Sequence, residues 1–182
     1  MRLLDTLALD IGQPVVVFCP GAEYGPAKRW PAEHYAVLAD RLLTAGAQVW
    51  LIGSPNDAAA GAAVAARTRQ RGIVDLCGRT ALADAIDLIS LADLVVSNDS
   101  GLMHVAAALQ RPLIALYGSS SPQYTPPLAP RARVLSLGLA CSPCFERECP
   151  LGHLRCLREL TPDAVWRTIE ALDLPRLAHA PC

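Results

Sequence analysis

Short apolar runs without a polar face recur along the chain, each followed by a stretch whose apolar positions return every three or four residues. Pro14 to Cys19 is the first run, and a strand is expected there, since a strand buried on both faces lacks the alternation of a half-exposed one. Ala32 to Ala45 then sets Tyr35, Leu38, Ala39 and Leu42 on one helical stripe, with Pro31 suited to the first turn and Gly46 to the stop. Val49 to Ile52 gives a second strand, and Asn56-Asp57 caps an Ala-rich helix reaching about Gln70. Ile73 to Leu76 is a third strand. Leu82, Ala85, Ile86 and Ile89 keep helical spacing, with Asp84 and Asp87 outside. Further strands are expected over Asp93 to Val96, Leu113 to Leu116 and Val134 to Leu137. Thr161-Pro162-Asp163 opens a last helix with Val165, Ile169 and Leu172 inward. Apolar strands separated by helices specify a Rossmann-like α/β domain, a parallel sheet with helices on both faces.

Composition narrows the classes. The 182 residues suit one domain with a substantial core, and the hydrophobic fraction is 52%. No apolar run approaches the roughly 18 residues of a membrane helix. The start, Met1-Arg2-Leu3-Leu4-Asp5, carries acids at Asp5 and Asp10 and does not read as a signal peptide. A net charge of −1 without a basic block argues against nucleic acid as a partner. Seven cysteines with no export signal point to a reducing, cytoplasmic setting.

The fourth strand runs into Ser97-Asn98-Asp99-Ser100-Gly101-Leu102-Met103-His104, which opens an Ala-rich helix. A strand turning sharply into a helix leaves the first N–H groups of that helix unpaired beyond the strand's carboxyl end. With the helix dipole behind them, these groups make an anion site, and phosphate is the natural ligand. Asp99 or Ser100 would cap the helix, Gly101 would admit a ligand to the backbone, and His104 lies one turn in. Met103 reads as core. Three other loops also follow strands: Pro20 to Trp30, long and basic at its end, Gly53-Ser54-Pro55-Asn56-Asp57, and the hydroxyl-rich Gly118-Ser119-Ser120-Ser121-Pro122. The first lacks the G-x-G-x-x-G spacing of a dinucleotide fingerprint, and no Walker A motif is present, so the phosphate site belongs to the fourth strand.

Cys141-x2-Cys144-x4-Cys149-x6-Cys156, with His153 between, has the residue types of a zinc or iron–sulfur site. Only the first pair has the tight spacing of a chelating turn, and free cysteine is often a small buried hydrophobe. Buried or loosely paired thiols with no metal are the favoured reading. Arg147, Arg155 and Arg158 beside them read as a solvated face, with an anionic acceptor as the alternative.

Three segments together resemble the lipopolysaccharide heptosyltransferase family: Lys28-Arg29-Trp30-Pro31, the Asn98 to His104 turn, and Cys141-Ser142-Pro143-Cys144-Phe145 continuing to Leu157. The likeness runs from about Pro14 to Leu172 and is nearest to the heptosyltransferase II branch, which adds the second heptose of the inner core. It implies a GT-B glycosyltransferase of two Rossmann-like halves, with residues 1–182 forming the nucleotide-sugar (donor) half around a core of about 14–172. The amino-terminal acceptor half, and the general base in it, would lie outside this chain, which alone should bind donor without transferring sugar. The donor would be ADP-heptose, with no metal and no cofactor, and the partner a lipid-linked core acceptor at the cytoplasmic face of the inner membrane. Lys28 would stabilise the diphosphate leaving group, alongside the N–H groups of Ser100, Gly101 and Leu102. Asp99 would reach heptose or ribose hydroxyls, and Asp57, His104 and Ser119 would complete the donor contacts.

Other readings remain open at this point. Asn56 and Asp57 could simply cap a helix, Lys28 could be a solvated surface lysine, and Trp30 could anchor its loop in the core or touch ligand. Glu23 lies in the right loop without a defined role. A related GT-B enzyme with another sugar nucleotide, an epimerase, a non-catalytic nucleotide-binding domain and a metal-organised module are the alternatives.

Overall fold

The computed structural model describes residues 2–178. In chain order the elements are α1 (Arg2–Leu7), β1 (Val15–Cys19), a 3-10 turn (Pro26–Lys28), α2 (Ala32–Thr44), β2 (Gln48–Leu51) and a second 3-10 turn (Pro55–Asp57). There follow α3 (Ala58–Ala65), β3 (Ile73–Asp75), α4 (Leu82–Ser90), β4 (Leu94–Asn98), α5 (Gly101–Ala108), β5 (Leu113–Leu116) and β6 (Ala132–Leu135). Three helices follow among the described residues: α6 (Arg155–Arg158), α7 (Pro162–Glu170) and α8 (Pro175–Ala178).

All six strands are parallel, in the order β3-β2-β1-β4-β5-β6. The order reverses between β1 and β4, whose register pairs Val16 with Leu94 and Cys19 with Ser97. Beyond the carboxyl ends of these two strands the connections diverge to opposite faces, which opens the crevice where such sheets bind ligands.

The missing polar face of the strands has a direct cause. Val16 and Phe18 of β1 pack with Leu38 and Leu42 of α2 and Val165 and Ile169 of α7 on one side. Val15, Val17 and Cys19 pack on the other, with Leu88 and Ile89 of α4 and Met103 and Ala106 of α5. Burying each large aliphatic side chain in these layers contributes about 1.5–3 kcal/mol against leaving it exposed. Packing reaches past the expected 14–172 span at both ends: Leu3, Leu4 and Leu7 of α1 lie on the second layer, and Leu174 is buried in the first.

Three boundaries differ from the sequence expectation, each for a local reason. Helix α3 ends at Ala65 rather than near Gln70, because the Thr68 hydroxyl donates back to the Val64 carbonyl. Asp40 Oδ1 then accepts the N–H groups of Arg69 and Gln70, at 2.8 and 2.9 Å, and turns the chain away. Strand β6 begins at Ala132, two residues before the apolar run, since pairing with β5 sets Leu113 against Ala132 and Leu116 against Leu135. Strand β4 continues through Ser97 and Asn98, both fully buried despite their polarity. No helix among the described residues is long and apolar enough to cross a membrane.

Candidate functional site

Asn98, the last residue of β4, organises the crevice. Its amide is buried and uses all of its local partners: Nδ2 donates to the carbonyls of Pro20 and Gly21, at 2.8 and 3.2 Å. Oδ1 accepts the Trp30 backbone N–H at 3.0 Å and the Tyr35 hydroxyl at 3.2 Å. Both ends of the loop after β1 are therefore tied to the end of β4. Trp30 is a core anchor, with its ring edge-on to Tyr35 and its indole N–H donating to the Leu160 carbonyl at 2.7 Å.

Anchored this way, the loop delivers Lys28 to Asp99. Lys28 Nζ stands 2.7 Å from Asp99 Oδ2, with the lysine side chain 16% and the aspartate 4% exposed. Lys28 also lies 5.1 Å from the centre of the Tyr24 ring, whose other neighbour is the Arg147 guanidinium at 5.5 Å. Asp99 thus does not cap α5. Ser100 occupies the N-cap position with φ −149° and ψ 171° but makes no capping bond, and its hydroxyl meets Ser97 Oγ at 3.3 Å instead. The N–H groups of the first turn of α5 are left without a side-chain cap, beside a fixed ammonium group.

A cavity of about 630 Å³ adjoins this end of α5, between the loops after β1 and β2. Gly21, Asp57, Thr80, Leu82, Gly101 and Leu102 are among its lining residues. A Cβ on Gly101 would meet nothing within 4 Å, so the helix start is open to the cavity. Gly21 is the opposite: a Cβ there would stand 2.0 Å from the Asp57 carboxylate, so only glycine lets the two segments close. Asp57 Oδ2 accepts the Ser54 N–H at 2.9 Å and the Ser54 hydroxyl at 2.7 Å, so the carboxylate caps the 3-10 turn from Ser54 and makes no side-chain cap bond to α3, the helix it was expected to cap. Its Oδ1 is buried without a hydrogen-bond partner, and Thr80 Oγ1 on the same cavity is unpartnered too. Buried polar atoms without partners are uncommon and mark either strain or a ligand position. Capping and ligand contact are compatible at Asp57, one oxygen serving each.

The structure brings Asp57, Ser100, Gly101 and Leu102 to this cavity, and pairs Lys28 with Asp99, the residue just before Ser100. It does not bring His104 or Ser119 there. His104 faces solvent one turn into α5 and lines neither this cavity nor the one described below. Ser119 is buried under the cysteine segment, its carbonyl accepting the Phe145 N–H at 2.7 Å. Glu23 lines the cavity from an exposed position, and Met103 is core. Asn98, Thr80 and Tyr24 were not singled out by sequence reasoning as site residues, and Ser120 only as part of the hydroxyl-rich loop after β5. Asn98 had a readable signal, an amide closing a strand that starts as an apolar run, whereas Thr80 and Tyr24 had none.

A second cavity, of about 420 Å³, opens on the other side of Lys28 and is lined also by Tyr24, Ser120, Tyr124, Thr125 and Phe145. Farther out, Cys141, Cys144, Cys149, Cys156 and His153 wall a narrow cavity of about 20 Å³. No group of three or more His, Cys, Asp or Glu side chains among the described residues is set to hold a metal ion. Backbone N–H groups from Leu151 to Leu154, with that of Leu154 foremost, lower the Cys149 pKa, while burial and then the neighbouring thiols raise that of Cys156. Cys19, fully buried beneath the crevice, is pushed up to about 12 by desolvation. Arg155 is paired with Glu159 at 2.6 Å on the surface, in keeping with a solvated face.

Comparison with known proteins gives concordant results. The family model described as glycosyltransferase family 9 (heptosyltransferase) matches residues 3–155. The chain is 46% identical over 173 residues to lipopolysaccharide heptosyltransferase 2 of Escherichia coli K12, covering 93% of this chain and 50% of that protein. Among solved structures it is similar to the E. coli ADP-heptose lipopolysaccharide heptosyltransferase II, with a TM-score of 0.84 and 43% identity over 97% of this chain and 50% of the other. The E. coli heptosyltransferase WaaC with ADP-2-deoxy-2-fluoro heptose is a more distant likeness, with a TM-score of 0.66 and 26% identity over 87% and 43% of the two chains. The chain spans about half the length of the curated relatives it matches.

Proposed function

Since the chain belongs to glycosyltransferase family 9, the heptosyltransferase family, we propose that it is the donor half of an ADP-heptose:lipopolysaccharide heptosyltransferase of type II. The observation that carries this reading is the Lys28–Asp99 pair beside the uncapped start of α5, at the point where the strand order reverses. The nucleoside sits in the 630 Å³ cavity, where apolar Leu82 and Leu102 suit a base and Asp57 Oδ1 can accept from a ribose hydroxyl. An acid in the loop after the second strand plays this part in other Rossmann-like domains. The diphosphate lies over the first turn of α5, with Lys28 against it. A neighbouring structure, WaaC, holds an ADP-heptose analogue, which supports the choice of adenine and heptose.

Inverting transfer breaks the bond between the heptose anomeric carbon and the diphosphate oxygen, and negative charge builds on the departing ADP. Lys28 Nζ, the N–H groups of Ser100, Gly101 and Leu102 and the α5 dipole oppose that charge without a metal, and they are fixed before reaction. Removing one such donor costs about 3–4 kcal/mol of transition-state stabilisation. His104 and Ser119 stay in the donor role only through movements on binding. The acceptor, a lipid-linked phosphorylated core sugar at the cytoplasmic face of the inner membrane, and the general base belong to the complementary half.

Calorimetric titration of the purified chain with ADP, UDP and NAD tests the reading. Binding of ADP in preference to UDP, weakened by Lys28→Ala, supports it. A folded chain that binds UDP or NAD better than ADP, or no nucleotide, refutes it.

A further inference from the structure

Donor binding gives the cysteine segment no task of its own. Four of the seven cysteines fall within it, and all four wall the narrow cavity of about 20 Å³, together with His153. That volume is about the size of one water molecule, so no organic ligand fits and the thiols are left to one another. Cys141 is exposed, Cys144 and Cys149 are half-buried, and Cys156 is buried. Besides its burial, Cys156 feels the charge of the other three, Cys144 most, which makes the four a single group. Cys149 stands apart within it. The N–H groups of Leu151, Gly152, His153 and Leu154 gather on its sulfur, in a turn that holds Gly152 at φ 68° and Leu154 at φ 51°. Left-handed residues turn successive N–H groups to one side and make a nest for an anion, and the conformation is uncommon for a leucine. The anion in this nest is the Cys149 thiolate, partly open to solvent. A thiolate held in this way is a nucleophile.

The same segment braces the loop that carries Lys28. Ala27, the residue before Lys28, is buried against the thiol cavity, and its N–H donates to the Arg147 carbonyl at 3.0 Å. A Cβ on Gly25 would stand 2.5 Å from that carbonyl, so the two segments touch closely there. The Tyr24 hydroxyl donates to the Phe145 carbonyl at 2.7 Å. We propose that the cysteine segment is a redox site, at which a peroxide oxidises Cys149 and a disulfide then joins it to a second thiol of the same cavity, loosening the Lys28 loop. In the first step the Cys149 thiolate attacks one oxygen of hydrogen peroxide. The O–O bond breaks, a sulfenic acid forms, and the other oxygen leaves as hydroxide and takes a proton to become water. The second thiol gives up its proton and attacks the sulfenic sulfur, the S–S bond forms, and the hydroxyl leaves as water. Two thiols are oxidised and one peroxide is reduced to two waters; a dithiol reductant reverses the change, as a reducing compartment would. The neutral disulfide no longer holds the charge that the 151–154 N–H groups oppose. Cys149 therefore shifts and takes Arg147, two residues before it, away from Ala27.

The test treats the reduced full chain with hydrogen peroxide, blocks the remaining thiols with an alkylating reagent and maps the peptides by mass spectrometry. A disulfide between Cys149 and Cys141, Cys144 or Cys156, removed by dithiothreitol, is the expected product. Cys149→Ser should abolish it; should that variant fail to fold, the map of the unaltered chain still decides. Hydrogen exchange then compares the reduced and oxidised chains. The Ala27 N–H, bonded to Arg147 in the reduced chain, should exchange about tenfold faster or more after oxidation. The further consequence, an ADP affinity about three- to tenfold lower until the disulfide is reduced, rests on the donor reading. Four results overturn the site: thiols that stay free, a Cys149 oxidised only to sulfinic acid, a disulfide that leaves Cys149 out, or a stoichiometric zinc or iron ion held by the thiols of the purified chain. A disulfide that forms without changing Ala27 exchange overturns its coupling to the Lys28 loop. If the reduced chain binds no ADP, the donor reading falls, while the disulfide map and Ala27 exchange still judge the redox site.

Discussion

Asn98 Oδ1 accepts the Trp30 backbone N–H at 3.0 Å, a bond between residues 68 positions apart that fixes the height of the Lys28 loop above the sheet. The same amide holds the other end of the loop through Pro20 and Gly21. Asn98→Leu keeps the branched shape and the number of side-chain heavy atoms but leaves buried backbone groups at three positions without this partner. Each unsatisfied buried group costs about 1–3 kcal/mol, so the variant should lose about 3 kcal/mol or more of stability. Urea unfolding checks this as a lowered midpoint at unchanged slope. ADP affinity should fall as well, because Lys28 loses its support without being altered.

Lys28 and Asp99 make a second separable case. From sequence alone, Lys28→Ala is expected to harm binding and turnover far more than folding. The pairing at 2.7 Å adds a folding cost, because the substitution strands a carboxylate that is 4% exposed. Breaking a buried pair from one side costs about 3–5 kcal/mol, and the partial exposure of Lys28 puts this pair at or below the low end. Lys28→Ala with Asp99→Asn removes the stranded charge and should recover most of that stability, but not ADP binding. A double-mutant cycle run in parallel by urea unfolding and calorimetry separates the two roles. Recovery of both together would remove Lys28 from the phosphate site.

The two glycines facing the larger cavity should respond in opposite ways. At Gly101 a methyl group meets nothing within 4 Å, so Gly101→Ala should change stability by no more than about 0.5 kcal/mol. It would nevertheless intrude on the open start of α5 and weaken ADP binding at least fivefold. At Gly21 the methyl would stand 2.0 Å from the Asp57 carboxylate, which must move and surrender its bonds to Ser54. Gly21→Ala should cost about 1–3 kcal/mol, as overpacking does. Thermal melts paired with titrations distinguish the two patterns.

Much of this architecture is legible in the amino-acid sequence. Strands buried on both faces announce themselves as unbroken apolar runs, and the polar turn after β4 carries its chemistry within eight consecutive residues. What escapes depends on distant contacts. Nothing local tells that Asp99 turns to Lys28, 71 positions away, instead of capping its own helix. Nor does any local pattern put Ser119 under the cysteine segment and Ser120 on an open cavity, since neighbouring residues of an irregular loop face different ways without a period to read. The end of α3 differs from expectation for a similar reason: Asp40, on another helix, captures the N–H groups that would have continued it.

The cysteine segment yields the last expectation, which concerns reactivity. Only the thiolate attacks an alkylating reagent, so the thiol with the lowest pKa labels at the lowest pH. Backbone N–H groups of residues 151–154 stabilise the thiolate of Cys149, which lowers its pKa below the ordinary thiol value. Burial does the reverse at Cys19, Cys77 and Cys156, where the neutral thiol is favoured. As pH is raised from about 6 to 9, Cys149 should therefore be labelled first among these four, with Cys156 later and Cys19 and Cys77 only on unfolding. Iodoacetamide labelling with peptide mapping by mass spectrometry reads each site separately. If Cys149 lagged behind Cys156 across this range, the N–H groups would not be directed at its sulfur in solution, and the loop around the narrow cavity would have a different shape from the one described.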